Sequence, residues 1–77
     1  MIDDIREYIK TLTQITDYKS LKHGDRIFNK ESLSKDYVDI FDHLEVEDDG
    51  TEIIWYYNSC GELWSGGTGS YWFYIDR

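Results

Sequence analysis

A chain of 77 residues with a formal net charge of −8, 40% apolar and 17% aromatic, is one small domain, too rich in apolar side chains for a disordered acidic tail. Its acidity excludes direct binding to nucleic acid or to an anionic membrane surface, both of which demand a basic face. A single cysteine, Cys60, excludes an intrachain disulfide, and no stretch approaches the roughly 20 apolar residues of a membrane helix. The opening MIDDIREY is acidic where a signal peptide is basic and then apolar, so a soluble, cytoplasmic protein is expected.

Taken in chain order, Ile2, Ile5, Ile9 and Leu12 recur at helical spacing with Tyr8 and Ile15 beside them. This predicts an amphipathic helix over 3–15, capped by Asp3 or Asp4. Tyr18 and Leu21 suit one further turn that Gly24 can stop, and 26–28 reads as a short extended piece. Leu33, Tyr37, Ile40, Phe41 and Leu44 fall in one stripe at 100° per residue, opposite Lys35, Asp36, Asp39, Asp42 and His43. That pattern predicts a second helix over 32–44 with an acidic solvent ridge.

The remainder reads as strands. Residues 44–47 alternate, Asp48-Asp49-Gly50-Thr51 is a hairpin turn, and EIIWYYN at 52–58 is rich in β-branched and aromatic residues. A turn at 58–61, a strand at 62–65, a glycine-rich tip at 66–69 and a last strand at 70–76 complete the order. The expected fold is α+β: two N-terminal helices packed on a three- to four-stranded antiparallel meander sheet. Residues 1–77 form a single domain, 1–44 mainly helical and 45–77 sheet.

Alternation in the last strands puts Ile53, Trp55 and Tyr57 on one face and Ile54 and Tyr56 on the other; Tyr71, Phe73 and Ile75 oppose Trp72 and Tyr74. Both faces are apolar, where a one-sided sheet alternates with polar residues. Either one face is an open aromatic patch of the kind that marks an interaction surface, or the sheet curls and buries both faces itself.

The distribution of charge is more informative than its sum. Residues 1–35 hold six acids and seven bases; residues 36–76 hold ten acids and no lysine or arginine. Like charges repel and cost a small domain stability, so such a field points to a strongly basic partner. Eight of the acids crowd into 36–52: Asp36, Asp39, Asp42, Glu45, Glu47, Asp48, Asp49 and Glu52. On a helix, Asp36, Asp39 and Asp42 would advance by about 4.5 Å at each step. Phosphates along one DNA strand lie about 6–7 Å apart, so the array imitates a backbone loosely rather than in register. A solvated face that keeps the protein soluble is the plain alternative, but such faces usually mix both signs.

Other chemistries are weaker. Asp39 and His43 sit at i, i+4, yet no EF-hand pattern occurs, and Cys60, His23 and His43 are too few for structural zinc. No metal or other cofactor is expected. Cys60 lies in an Asn-Ser-Cys-Gly turn with nothing to place His43 beside it, and Glu52 and Glu62 read as exposed strand residues, so no enzyme activity is expected. The glycines at 61–69 lack the lysine of a phosphate loop. His23 occupies a polar loop.

In size, in its base-free stretch from Asp36 to Asp76 and in its order of helices then aromatic sheet, the chain resembles the small acidic inhibitors made by phages and mobile elements. Those include anti-CRISPR proteins and nucleic-acid mimics such as the uracil-DNA glycosylase inhibitor. The resemblance implies a stoichiometric, non-enzymatic blocker acting in a bacterial host cell. Such a blocker occupies the guide- or target-binding groove of a nuclease or CRISPR effector, and its partner is a basic protein. The eight acids of 36–52 are expected to make the charged contact, with Trp55, Tyr56, Trp64, Trp72 and Tyr74 as apolar anchors. An immunity protein or antitoxin that neutralises a toxin such as a nuclease would show the same electrostatics. A homodimer through the aromatic sheet face is a third reading.

Overall fold

The computed structural model describes residues 2–75; the side chains of 2–4, with the expected Asp3 or Asp4 cap, and Asp76 at the expected end of the last strand lie outside that description. One helix, α1 (Ile2–Lys10), precedes strands β1 (Thr13–Gln14), β2 (Arg26–Asn29), β3 (Asp39–Val46), β4 (Glu52–Tyr57), β5 (Leu63–Gly67) and β6 (Trp72–Tyr74). The strands form one antiparallel sheet in the order β1-β6-β2-β3-β4-β5. No helix among the described residues is long and apolar enough to cross a membrane.

The expectation of two helices on a three- to four-stranded meander is therefore corrected, and with it the division at residue 44. α1 stops at Lys10, where Thr11 and Leu12 turn back on the Tyr8 and Ile9 carbonyls. Thr11, Thr13, Ile15 and Thr16 are β-branched and favour extended chain, so the helical spacing that continues through Leu12 is overridden. β1 follows at once and pairs with β6, and the Ile15 N–H donates to the Trp72 carbonyl. The further turn near Tyr18 exists as a 3-10 helix over Tyr18–Ser20, capped by Asp17, whose carboxylate accepts the Lys19 N–H.

The second expected helix does not form. Residues 30–38 are loop, bent by Asn29, whose side-chain oxygen accepts the Glu31 N–H, and by Ser34, whose hydroxyl accepts the Asp36 N–H. Short polar side chains of this kind offer the backbone an alternative to helical bonding. Leu33 is 86% exposed and Tyr37 47%, so two of the five residues of the supposed apolar stripe never reach the core. The other three, Ile40, Phe41 and Leu44, lie on β3. There a bulge at Asp42 makes two inward residues, Phe41 and Leu44, fall three apart, opposite Tyr56 and Ile54 respectively. A bulged strand thus reproduces a helical spacing. Because Leu33 is solvated, Leu33→Asp is expected to shift the denaturation free energy by no more than about 0.5 kcal/mol. A loss above about 2 kcal/mol in urea titration would show that Leu33 is packed after all.

The two expected turns form. Gly50 takes φ 89° in the β3–β4 hairpin and Gly61 φ 81° in the β4–β5 hairpin, backbone regions that glycine enters without a Cβ penalty. The glycine-rich stretch is not the tip of a hairpin. Gly66 and Gly67 belong to β5, and the chain then crosses back to place β6 between β1 and β2.

Cross-strand partners share a face, so the register defines two surfaces. The inner face carries Ile27, Asp39, Phe41, Leu44, Ile54 and Tyr56 with Trp72 and Tyr74. It closes on itself. The Trp72 ring meets Tyr56 at 4.8 Å in an edge-on arrangement, and its indole N–H donates to the Gly67 carbonyl at 3.0 Å. The segment holding Ile15, Tyr18 and Leu21 covers what remains, with the Tyr18 hydroxyl donating to the Gly69 carbonyl at 2.8 Å. On the outer face Phe28 and Phe73 are buried where Tyr8 of α1 meets Phe28 edge-on. Toward β4 and β5 that outer face stays open. Curling of the sheet and an open aromatic patch thus coexist, on opposite sides.

Candidate interaction surface

The acids do not form a helical ridge. Asp36 is exposed in the 30–38 loop, Asp39 is buried at the start of β3, and Asp42 sits in the bulge. The 4.5 Å helical step therefore does not apply. Glu45 and Glu47 run toward the β3–β4 hairpin, which adds Asp48, Asp49 and Glu52 within a few residues of chain. The hairpin is held by its own backbone: the Glu47 N–H donates to the Thr51 carbonyl and the Gly50 N–H to the Glu47 carbonyl. Thr51 also donates to Asp49 through its N–H at 2.9 Å, and these Thr51 bonds hold the Asp49 carboxyl below its ordinary pKa. Glu47, Asp48 and Asp49 are exposed and Glu52 is half-buried, so this hairpin carries an ordered knot of negative charge.

Among the described residues no lysine or arginine pairs with a carboxylate between Asp36 and Glu62; the pairs seen are Lys10 with Glu7 and two imidazoles with Asp42. The latter are local. The Asp42 carboxylate lies 2.6 Å from His43 Nδ1 and 3.2 Å from His23 Nδ1, so the loop histidine reaches the bulge. In the sequence His23 is only a residue of a polar loop. Only the pairing of a distant loop with the bulge brings it in.

Of the expected apolar anchors, two leave the surface. Trp72 is 2% and Tyr74 8% exposed, both in the core, because β6 is an interior strand and not the end of a meander. Trp55 keeps its place on the open outer face, stacked on His43 at 5.7 Å with an interplanar angle of 9°, and its indole N–H donates to Glu45 at 2.9 Å. Ile53, Tyr57 and Leu63 share that face by register. Tyr56 and Trp64 are cross-strand partners on the inner side, and Trp64 remains 53% exposed.

Tyr56 and Trp64 line a shallow cleft of about 270 Å³ together with Asp39, Glu31, Asn29 and Asn58. Asp39 is 8% exposed, and burial pushes its carboxyl up to about 6. Burial also raises the Tyr56 phenol, and the Asp39 charge adds to that rise. Glu31, Asn29 and Asn58 carry no signal in the sequence that would join them to Asp39. They converge because β2, β3 and β4 are neighbours and their loops emerge at the same end. Among the described residues no group of three or more acids, histidines and cysteines is arranged to hold a metal ion.

Comparison with known protein families, with characterised proteins and with solved structures gives no match to this chain.

Proposed function

We propose that the protein is a non-enzymatic acidic binder that blocks a cationic groove of a nucleic-acid-binding protein, in the manner of the phage-type inhibitors it resembles. One observation carries this reading: the β3–β4 hairpin that presents the exposed carboxylates is fixed by its turn hydrogen bonds, with Asp49 itself held by the Thr51 N–H, and among the described residues no lysine or arginine is paired with them. A fixed array loses little conformational freedom when it docks. The strand geometry also suits phosphate mimicry better than a helix would. Alternate residues of a strand are about 6.7 Å apart, close to the spacing of successive phosphates, and Glu45 and Glu47 stand in that relation. Trp55, backed by His43 and tied to Glu45, offers a rigid aromatic contact of the kind found at binding hot spots. Charge pairing would speed association and make it salt-dependent, and burial of Trp55 would slow dissociation.

The test uses the immobilised protein, a bacterial lysate and two salt concentrations, alongside the E47Q/D48N/D49N/E52Q variant. A basic nucleic-acid-binding protein should be retained by the wild type at low salt and released at high salt, and it should lose its nucleic acid when the free protein is added. The variant should bind that partner at least about tenfold more weakly, with a shallower salt dependence. Equal binding and an equal salt slope would remove the electrostatic reading.

A further inference from the structure

We propose that the cleft between the β2–β3 loop and the β4–β5 edge is a receptor site for a guanidinium group, the side chain of an arginine on the basic partner. The inference rests on the proposed function for the source of the arginine, but its evidence is separate from the hairpin charge. Asp39 is more than nine-tenths buried, and among the described residues no hydrogen bond or ion pair engages its side chain. Among the described residues no buried side-chain oxygen lacks a partner while sealed from solvent, so the Asp39 oxygens reach the cleft they line. A buried carboxylate without a cation is a costly arrangement, and a cationic ligand relieves it.

The walls select the kind of cation. Glu31 brings a second carboxylate, while Tyr56 and Trp64 present aromatic surface. Among the described residues no lysine or arginine lines the cleft, so its charged groups are the two carboxylates. A hard metal ion prefers several carboxylates in close geometry, and the cleft has two, with no group of three acids, histidines or cysteines among the described residues. A guanidinium is planar, stacks on aromatic rings, meets a carboxylate through two parallel N–H bonds and is weakly hydrated. An ammonium is more strongly hydrated and lacks the fork, so lysine is the poorer fit. Asn58 cannot compete for Asp39: its side chain is committed to the turn, accepting the Cys60 and Glu62 N–H groups and donating to the Glu62 carboxylate. Asn29 is oriented by its own loop, its amide oxygen accepting the Glu31 N–H.

The experiment titrates the full chain, labelled with nitrogen-15, with acetyl-arginine amide and in parallel with acetyl-lysine amide. Shifts confined to Asp39, Tyr56, Asn29 and the Trp64 indole, at least about tenfold weaker for lysine and for Asp39→Asn, are expected. The E47Q/D48N/D49N/E52Q variant should bind acetyl-arginine amide as the wild type does, since the hairpin lies at the far end of β4. Shifts spread along the hairpin, equal response to lysine, or an Asp39→Asn variant that binds as well as wild type would each overturn the inference. The two readings fail separately. Loss of cleft binding with partner capture intact removes the receptor site alone. Capture that ignores the hairpin amides, with cleft binding intact, removes the acidic-blocker reading.

Discussion

Asp39→Asn stabilises the protein at neutral pH. The native carboxyl titrates at about 6 because burial disfavours its charged form, whereas an unfolded chain returns it to about 3.8. The folded state therefore holds the proton more tightly. Stability from this group is fully present below about pH 4 and is lost as pH rises through about 6. A two-unit difference corresponds to just under 3 kcal/mol, and screening by solvent at the cleft mouth reduces the usable part to about 2 kcal/mol. For a domain of this size that is a rise of about 10 °C in Tm at pH 7.5. Asparagine keeps the shape and removes the charge. Urea titrations of both proteins at pH 4, 5, 6 and 7.5 should show two stability curves that meet at the acid end and part as pH rises. Parallel curves would mean that the Asp39 charge is solvated in the native state. A gain in stability joined to a loss of arginine binding would mark Asp39 as a residue whose cost is tied to function.

Trp72→Ala should come close to unfolding the protein. Trp72 is 2% exposed, contacts Tyr56, packs over Gly66 and donates its indole N–H to Gly67, so it ties β6 to the β4–β5 edge of the curled sheet. Truncation of a buried tryptophan costs about 3–5 kcal/mol. A 77-residue domain has a total stability of about 4–11 kcal/mol. Trp72→Phe keeps most of the volume, loses the indole bond and should cost about 1–2 kcal/mol. Trp64→Ala, at an exposed position, should cost under about 1 kcal/mol. Circular dichroism followed against urea separates the three. If Trp72→Ala unfolds at the same urea concentration as Trp64→Ala, the sheet is not closed by Trp72, and the residue becomes available as the surface anchor that the sequence suggests.

These contrasts show which parts of the molecule are legible from adjacent residues. Asp48-Asp49-Gly50 and Asn58 to Gly61 announce their turns because the needed groups are neighbours in the chain: glycines at positive φ, and Asp49 and Asn58 accepting N–H groups two to four residues on. The alternation of EIIWYY likewise yields β4. Phe41 and Leu44 mislead, because a bulge at Asp42 turns a period of two into a local spacing of three. Leu33 and Tyr37 then seem to extend a stripe that the fold leaves in water.

Composition alone established an acidic, aromatic chain with seven of its eight lysines and arginines in the first 35 residues, because charge is a property of residues whatever they touch. Strand partnership is different. That β6 lies between β1 and β2, that Trp72 and Tyr74 become core, and that Asp39 is buried facing Tyr56 while Glu47, Asp48 and Asp49 stay in solvent, follow from contacts between distant segments. Two faces of equal hydrophobicity leave each strand free to bury either side. The direction in which the sheet curls makes that choice, and it is made only when all six strands are in place.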